Sequence, residues 1–264
     1  MFSVFTRPMI GWIAGTVLAG FSQALFAGGL QVSPVSLQIR PTQNAEGIWL
    51  TNSGTTPLSA QVRVFQWLQQ GGEDLLSPST NLTVSPPLVE IPAGSRQLVR
   101  VLRTGPAPAT GTEATYRLII DELPNEATEA APQPASSNDK KSPAVLTMNF
   151  LMRYSVPVYI GSASEDQIKA AGSALQFSIE KTSKDWVLLA RNTGTIRAQV
   201  ADVQAVVGAN QALPLREGLL GYVLPGSSMR WSLLVPKLAT GQTITGYQAM
   251  INSEIQSINV SGTP

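Results

Sequence analysis

The chain of 264 residues reads as all-β, two sandwiches of one kind in tandem. Three observations predict this. Short alternating or continuous apolar runs follow one another between Gly, Pro, Asn and Ser clusters, with almost no helical period. The two halves repeat one order of motifs: TNSG (Thr51–Gly54), AQVRV (Ala60–Val64) and IPAGS (Ile91–Ser95), then RNTG (Arg191–Gly194), AQVADV (Ala198–Val203) and LPGSS (Leu224–Ser228). Each set reads as strand, Asn-x-Gly turn, alternating strand, and Pro-Gly turn into a further strand. Finally, there is no cysteine, so each half must hold by its own core, which 43% hydrophobic and 13% charged residues allow.

Taken in order, residues 1–27 come first. One positive charge, Arg7, precedes an apolar stretch, Met9–Leu18, and small residues run to Ala27. This is the layout of an export signal cut near Ala27. The apolar stretch is shorter than the roughly 20 residues that span a bilayer, and no later segment is longer, so no stable membrane insertion of the mature chain is expected. Residues 28–160 form the first sandwich, with strands at Leu30–Ile39, Gly47–Thr51, Ser59–Trp67, Leu88–Ile91, Arg96–Leu102 and Ala114–Glu122, and a last run at Val145–Ile160. Gly161–Ala174 is small and polar and reads as a linker. Residues 161–264 hold the second sandwich, with strands at Leu175–Ile179, Trp186–Arg191, Ala198–Val206, Tyr222–Leu224, Met229–Val235, Gly246–Asn252 and Ile255–Val260.

The run VLTMNFLMRYSVPVYI (Val145–Ile160) is apolar at every even position from Leu146 to Ile160. A period of two puts that row on one strand face. Strands usually last about 5–6 residues, so this row exceeds what one small sheet covers. The polar, Pro- and Ala-rich segment Asn125–Ser142 before it cannot pack a core and is expected to be mobile without a partner. A loop followed by an over-long apolar strand reads as a strand waiting for a partner.

Absences narrow the chemistry. With residues 1–27 removed, Arg7 leaves the count of 18 Lys and Arg, and 17 basic face 17 acidic residues. No basic field holds nucleic acid. Histidine is absent, which removes His-based triads and the commonest metal ligand. Asp121 and Glu122 are strand neighbours on opposite faces, so they read as structural ion-pair formers. No metal spacing, phosphate loop or nucleophile elbow appears. Neither an enzyme nor a cofactor is expected.

Three stretches carry a family resemblance: IPAGSRQLVRVLR (Ile91–Arg103), EATYRLIIDELP (Glu113–Pro124) and LMRYSVPVYI (Leu151–Ile160). They resemble, in order and spacing, the periplasmic chaperones of the chaperone–usher pathway, with an Arg-Tyr-Ser-Val-Pro-Val form most similar to the archaic branch. The resemblance covers residues 30–165; the C-terminal half matches only in length and β character. It implies two immunoglobulin-like sandwiches at an angle, a periplasmic location, and pilus or fimbrial subunits and an outer-membrane usher as partners. It also implies donor-strand complementation. In that mechanism the chaperone's long edge strand fills the groove of a subunit lacking its last strand, and a basic cleft residue binds the subunit's C-terminal carboxylate.

Carried over residue by residue, Arg153 holds the family's basic edge-strand position, with parity opposite to the apolar row. Its planar fork suits a carboxylate. Leu146, Met148 and Phe150 are the groove contacts. A second basic residue is usual on the family's first strand; here Ser36 or Gln38 stands near that place, and Arg40, the only basic residue on the strand, is the second anchor candidate for the carboxylate beside Arg153. A secreted immunoglobulin-like fibre subunit or adhesin is the alternative, but it would lack a last strand where this first half keeps a long one. A secreted β-sandwich hydrolase would need a carboxylate pair across a cleft, which the sequence does not offer.

Overall fold

The computed structural model describes residues 29–124, 150–182, 184–208 and 211–261. The signal segment, the Asn125–Ser142 segment, Leu146 and Met148 lie outside the described residues. In chain order the first half comprises β1 (Leu30–Ser33), β2 (Leu37–Ile39), β3 (Ala45–Asn52), β4 (Leu58–Gln70), β5 (Glu73–Pro78), β6 (Leu82–Ser85), β7 (Leu88–Ile91), β8 (Arg96–Arg103), β9 (Glu113–Leu123) and β10 (Arg153–Gly161). The second has α1 (Glu165–Ala170) and a 3-10 turn, then β11 (Leu175–Lys181), β12 (Trp186–Asn192), β13 (Ala198–Val207), β14 (Gln211–Val223), β15 (Ser228–Leu233), β16 (Ile244–Ile251), β17 (Glu254–Ile258) and β18 (Val260–Ser261).

Strands β1-β3-β8-β6 form one sheet of the first sandwich; β2-β10-β9-β4-β5, with β7 also on β4, form the other. The second sandwich stacks β15-β12-β11-β18 on β14-β13-β16-β17. Each encloses its own core: Ile48, Leu50, Val99, Val101, Leu118, Ile120 and Val158 in the first, Leu188, Ala190, Val200, Val203, Leu215 and Val223 in the second, all fully buried. The all-β double sandwich expected from sequence is what the chain adopts.

The internal repeat has a chemical cause. Asn52 and Asn192 are buried polar side chains at the ends of equivalent strands. Asn52 Nδ2 donates to the carbonyls of Thr56 (2.8 Å) and Ile91 (2.9 Å), and its Oδ1 accepts from the Gly54 N–H at 2.8 Å. Asn192 repeats the set with Ile196, Val223 and Gly194 at 2.8, 3.0 and 2.8 Å. One amide thus ties its own turn to the strand before the Pro-Gly turn in each half.

Four local expectations change. The Leu30–Ile39 segment divides between the two sheets as β1 and β2. Strands β5 and β6 were not expected, because EDLLSP and LTVS are too short and irregular to show a period. Strand β14 begins well before Tyr222, although Pro214, Gly218 and Gly221 broke its pattern. The linker folds into α1, where Ser164 and Gln167 form a reciprocal capping box.

Replacing either asparagine by Ala strands one buried carbonyl, one part-buried carbonyl and a part-buried N–H, the buried group alone costing about 1–3 kcal/mol. Urea unfolding of Asn52→Ala and Asn192→Ala should therefore show losses of similar size, each above about 2 kcal/mol. A loss confined to one half would contradict the equivalence.

Candidate functional site

Strand alternation turns one face of the β2-β10-β9-β4-β5 sheet away from its core, and the register sorts that face into rows. The row nearest the second sandwich holds Gln38, Tyr159, Thr115, Trp67 and Leu76, with the Thr115 hydroxyl donating to the Trp67 carbonyl at 2.7 Å. Pro157, Arg117, Phe65 and Pro78 make the next row, then Ser155, Ile119 and Arg63, then Arg153, Asp121 and Gln61.

The first row is where the sandwiches meet. Trp67, Tyr159 and Leu224 form a buried cluster with Tyr222 against it, Trp67 and Tyr222 being T-shaped at 5.6 Å. Gln69 acts like one rung of a ladder: its Nε2 donates to the Tyr222 carbonyl, and its Oε1 accepts from the Leu224 N–H, both at 2.8 Å. At the β4–β5 turn Gly72 has φ +87° and accepts from the Arg230 N–H at 3.4 Å; a Cβ there would meet Arg230 at 2.8 Å. Only glycine fits that approach.

Glu113 completes the junction. Its side chain is 1% exposed and accepts from both the guanidinium and the backbone N–H of Arg197, which stacks 3.3 Å over the Tyr159 ring. Burial pushes the Glu113 carboxyl above its ordinary range, and Arg197 only partly opposes this.

The cations on the open rows differ in what they have. Arg153 is 69% exposed on its side chain and hydrogen-bonds Asp121, which also takes Arg63 at 2.7 Å. These two hold Asp121 below the usual carboxylate range, the Arg153 hydrogen bond being the larger cause. Arg153 is four residues, about 13 Å, along β10 from the Arg117 row. Arg117 sits at the junction itself, stacked 3.6 Å from the Trp67 ring centre and 6.0 Å from that of Tyr222. Its Nη1 reaches the Ser155 carbonyl at 3.5 Å, and no described carboxylate forms an ion pair with it. Desolvation lowers its pKa from the arginine range. Close by in the fold, Gln38 Oε1 and Trp67 Nε1 are buried without a protein hydrogen-bond partner. Arg40 lies in an exposed turn at the end of β2, its backbone N–H and carbonyl both bonded to Gln43.

The edge of β10 follows from one bond. Glu122 N–H donates to the Met152 carbonyl, so even-numbered residues direct their backbone groups to β9 and odd-numbered ones point outward. Residues Val158–Ile160 are covered on that outer edge by β2, running parallel. From Arg153 to Pro157 no described strand covers it, and Pro157 has no N–H to leave unpaired. The even row divides in two. Val156, Val158 and Ile160 fill the core of their own sandwich, while Phe150 is 75% and Met152 43% exposed, with Leu151 52% exposed between them. Arg117 was missed from sequence because its neighbours Tyr222 and Trp67 are brought to it only by cross-strand register and the second sandwich.

A family model described as "Pili and flagellar-assembly chaperone, PapD N-terminal domain" matches residues 29–160. No curated protein matches the chain. Among solved structures, the chain is similar to the CsuC–CsuE chaperone–tip adhesion subunit pre-assembly complex from the archaic chaperone–usher Csu pili of Acinetobacter baumannii. That likeness has 22% identity and TM-score 0.62, covering 89% of this chain and 100% of that one. It is also similar to the CupB2 chaperone of Pseudomonas aeruginosa (13% identity, TM-score 0.54, covering 86% and 97%). The SafA pilin–SafB chaperone complex of Salmonella enterica gives 18% identity and TM-score 0.54, covering 87% and 95%. At these identities the likeness is one of fold.

The junction makes a pH-dependent prediction. Because the folded state raises the Glu113 pKa, folding favours the protonated carboxyl, and stability from this group falls as pH rises from the unfolded towards the folded value. Removing Arg197 takes away the groups that oppose the rise. Arg197→Ala should cost about 3–5 kcal/mol at pH 7, where a buried carboxylate loses its partner. The loss should shrink as pH falls through the Glu113 titration, read by urea unfolding of variant and wild type across pH. A loss independent of pH would show that Glu113 is not the carboxylate involved.

Proposed function

This chain belongs to the pili and flagellar-assembly chaperone family, whose members are pilus chaperones and not enzymes, and from that premise we propose that it holds fibre subunits by donating strand β10. On this reading residues 1–27 direct export to the periplasm. Residues 28–160 and 161–264 are the two chaperone domains, and an outer-membrane usher receives the loaded subunit.

The observation that supports the reading is the uncovered outer edge of β10, with a cation at its end. Arg153 and Ser155 offer outward N–H and carbonyl groups, and Pro157 offers a carbonyl, to an added strand. β2 occupies the same edge further along and runs parallel to β10. A partner strand continuing in that direction ends where β2 begins, so its C-terminus arrives beside Ser155 and Pro157, in the row of Arg117. Arg117 is desolvated, braced by Trp67 and without an ion-pair partner among the described residues, whereas Arg153 already shares Asp121. We therefore assign the terminal carboxylate to Arg117, and Arg153 is the second candidate. Phe150, with Leu146 and Met148 on the same parity, supplies the groove side chains.

The test is capture of a pilus subunit lacking its own last strand, co-expressed with the full chain. Arg117→Ala should nearly abolish recovery of complex, since truncating one side of a desolvated charge pair costs about 2–5 kcal/mol. Arg153→Ala should retain capture within a few-fold. The reverse ranking would assign the carboxylate to Arg153, and undiminished capture by both would remove the carboxylate from the reading. Ser155→Pro deletes an outward N–H and no bond to β9. It should weaken capture while leaving urea stability within about 1 kcal/mol of wild type; unchanged capture would argue against strand addition at this edge.

A further inference from the structure

Arg117 has carboxylates of its own strand on both sides, and both are taken. Glu113 and Asp121 stand four residues away in either direction, about 13 Å along β9, and share its face. Glu113 is bonded to Arg197, and Asp121 to Arg63 and Arg153. A third carboxylate comes from the neighbouring hairpin. Asp74 on β5 pairs with Gln69 on β4, one row beyond Trp67 and Leu76 and on the same sheet face. It is exposed and forms no ion pair among the described residues.

The Gln69 amide holds this carboxylate in place. Its Nε2 donates to Asp74 Oδ1 at 2.9 Å as well as to the Tyr222 carbonyl, and its Oε1 accepts from the Leu224 N–H. Two of those three bonds reach the second sandwich, so Asp74 is tied to the floor of Trp67 and Tyr222 over which the Arg117 guanidinium lies. Desolvation lowers the Arg117 pKa, and Asp74 is the carboxylate among the groups that oppose this. Cation and anion thus feel each other while remaining unpaired. Stacking on the indole holds the one, and the Gln69 amide holds the other.

We propose that Asp74 is a resident counter-charge to Arg117, limiting how tightly that guanidinium holds an incoming carboxylate. The proposal rests on the assignment of a partner's terminal carboxylate to Arg117. The physical cause is like-charge repulsion: a bound carboxylate brings a second negative charge to the same floor, and the exposure of Asp74 keeps the penalty modest. A limit of this kind weakens with salt, whereas backbone pairing along β10 carries no such charge dependence.

The experiment compares the full chain with Asp74→Asn, which removes the charge and keeps an oxygen to accept from Gln69. The probes are two synthetic peptides of a pilus subunit's C-terminal strand, one with a free terminal carboxylate and one amidated. Wild type should prefer the free carboxylate. Asp74→Asn should bind that peptide roughly twofold to tenfold more tightly at low salt, bind the amidated one as wild type does, and lose its advantage in about 1 M salt. A wild-type preference for the carboxylate with no gain in the variant overturns the role of Asp74 and leaves Arg117 as the carboxylate site. A gain shared by both peptides, or one that survives high salt, also overturns it, because charges would then not be competing. If wild type shows no preference between the peptides, or binds neither, the Arg117 assignment falls and the proposal falls with it.

Discussion

A carboxylate almost wholly removed from water must find a cation, and the one Glu113 finds belongs to the other sandwich. Two bonds from Arg197, and the stacking of that guanidinium on Tyr159, join residues distant in sequence but adjacent at one sheet end. Burial disfavours the ionised carboxyl, so the pair is weak evidence for net stability. What it supplies is direction. A placement of the second sandwich that parted Arg197 from Glu113 would leave that buried charge unpaired. The Gln69 bonds and the Gly72 approach add further points of contact, and together they fix two sheet faces relative to each other. The place of Tyr222 beside Arg117 depends on that.

The same face shows how charges are apportioned. Three arginines stand on it within a few rows, and one aspartate takes two of them. Asp121 neutralises the end of the sheet far from the second sandwich, where Arg63 and Arg153 are largely solvated and the pairs contribute little. Arg117 is left with an indole face, a distant carbonyl and the longer-range attraction of Asp74, which forms no ion pair with it. A half-buried guanidinium held this way keeps its charge and retains hydrogen-bond donors to offer. The difference between Arg153 and Arg117 lies in their surroundings, because both are strand arginines of the same parity class in the alternating pattern.

This division also explains what could be read from sequence. The double sandwich was legible because periodicity, turn residues and the Asn-x-Gly and Pro-Gly repeats are local signals, and Asn52 and Asn192 fill equivalent places in the fold. Of the run expected as one strand over Val145–Ile160, the described part is strand only from Arg153, and its even row has a core part, Val156 to Ile160, and exposed Phe150 and Met152 ahead of it. Arg117 was not legible as a cleft residue. Its environment is made by Trp67 from the neighbouring strand β4 and Tyr222 from the other half, and no spacing along the chain encodes that contact. Strand β5 was missed because it is short and irregular, and β14 because Pro214, Gly218 and Gly221 inside it mask a period that cross-strand partners restore.

An uncovered strand edge beside exposed Phe150, Leu151 and Met152 is an aggregation hazard unless something limits it. Here the limits are built into β10. Pro157 removes an outward N–H, and β2 closes the edge from Val158 onward, so the uncovered described stretch from Arg153 spans only a few residues. Arg153, at its start, carries an exposed charge that a second identical strand in antiparallel register would have to meet with its own. Such an edge accepts a strand that ends near Ser155 more readily than one that continues. The proposed terminus brings a carboxylate, and Arg117 is a cation in the next row without an ion pair among the described residues. The shape of the edge and the distribution of charge on the sheet thus support the proposed partner from two independent sides.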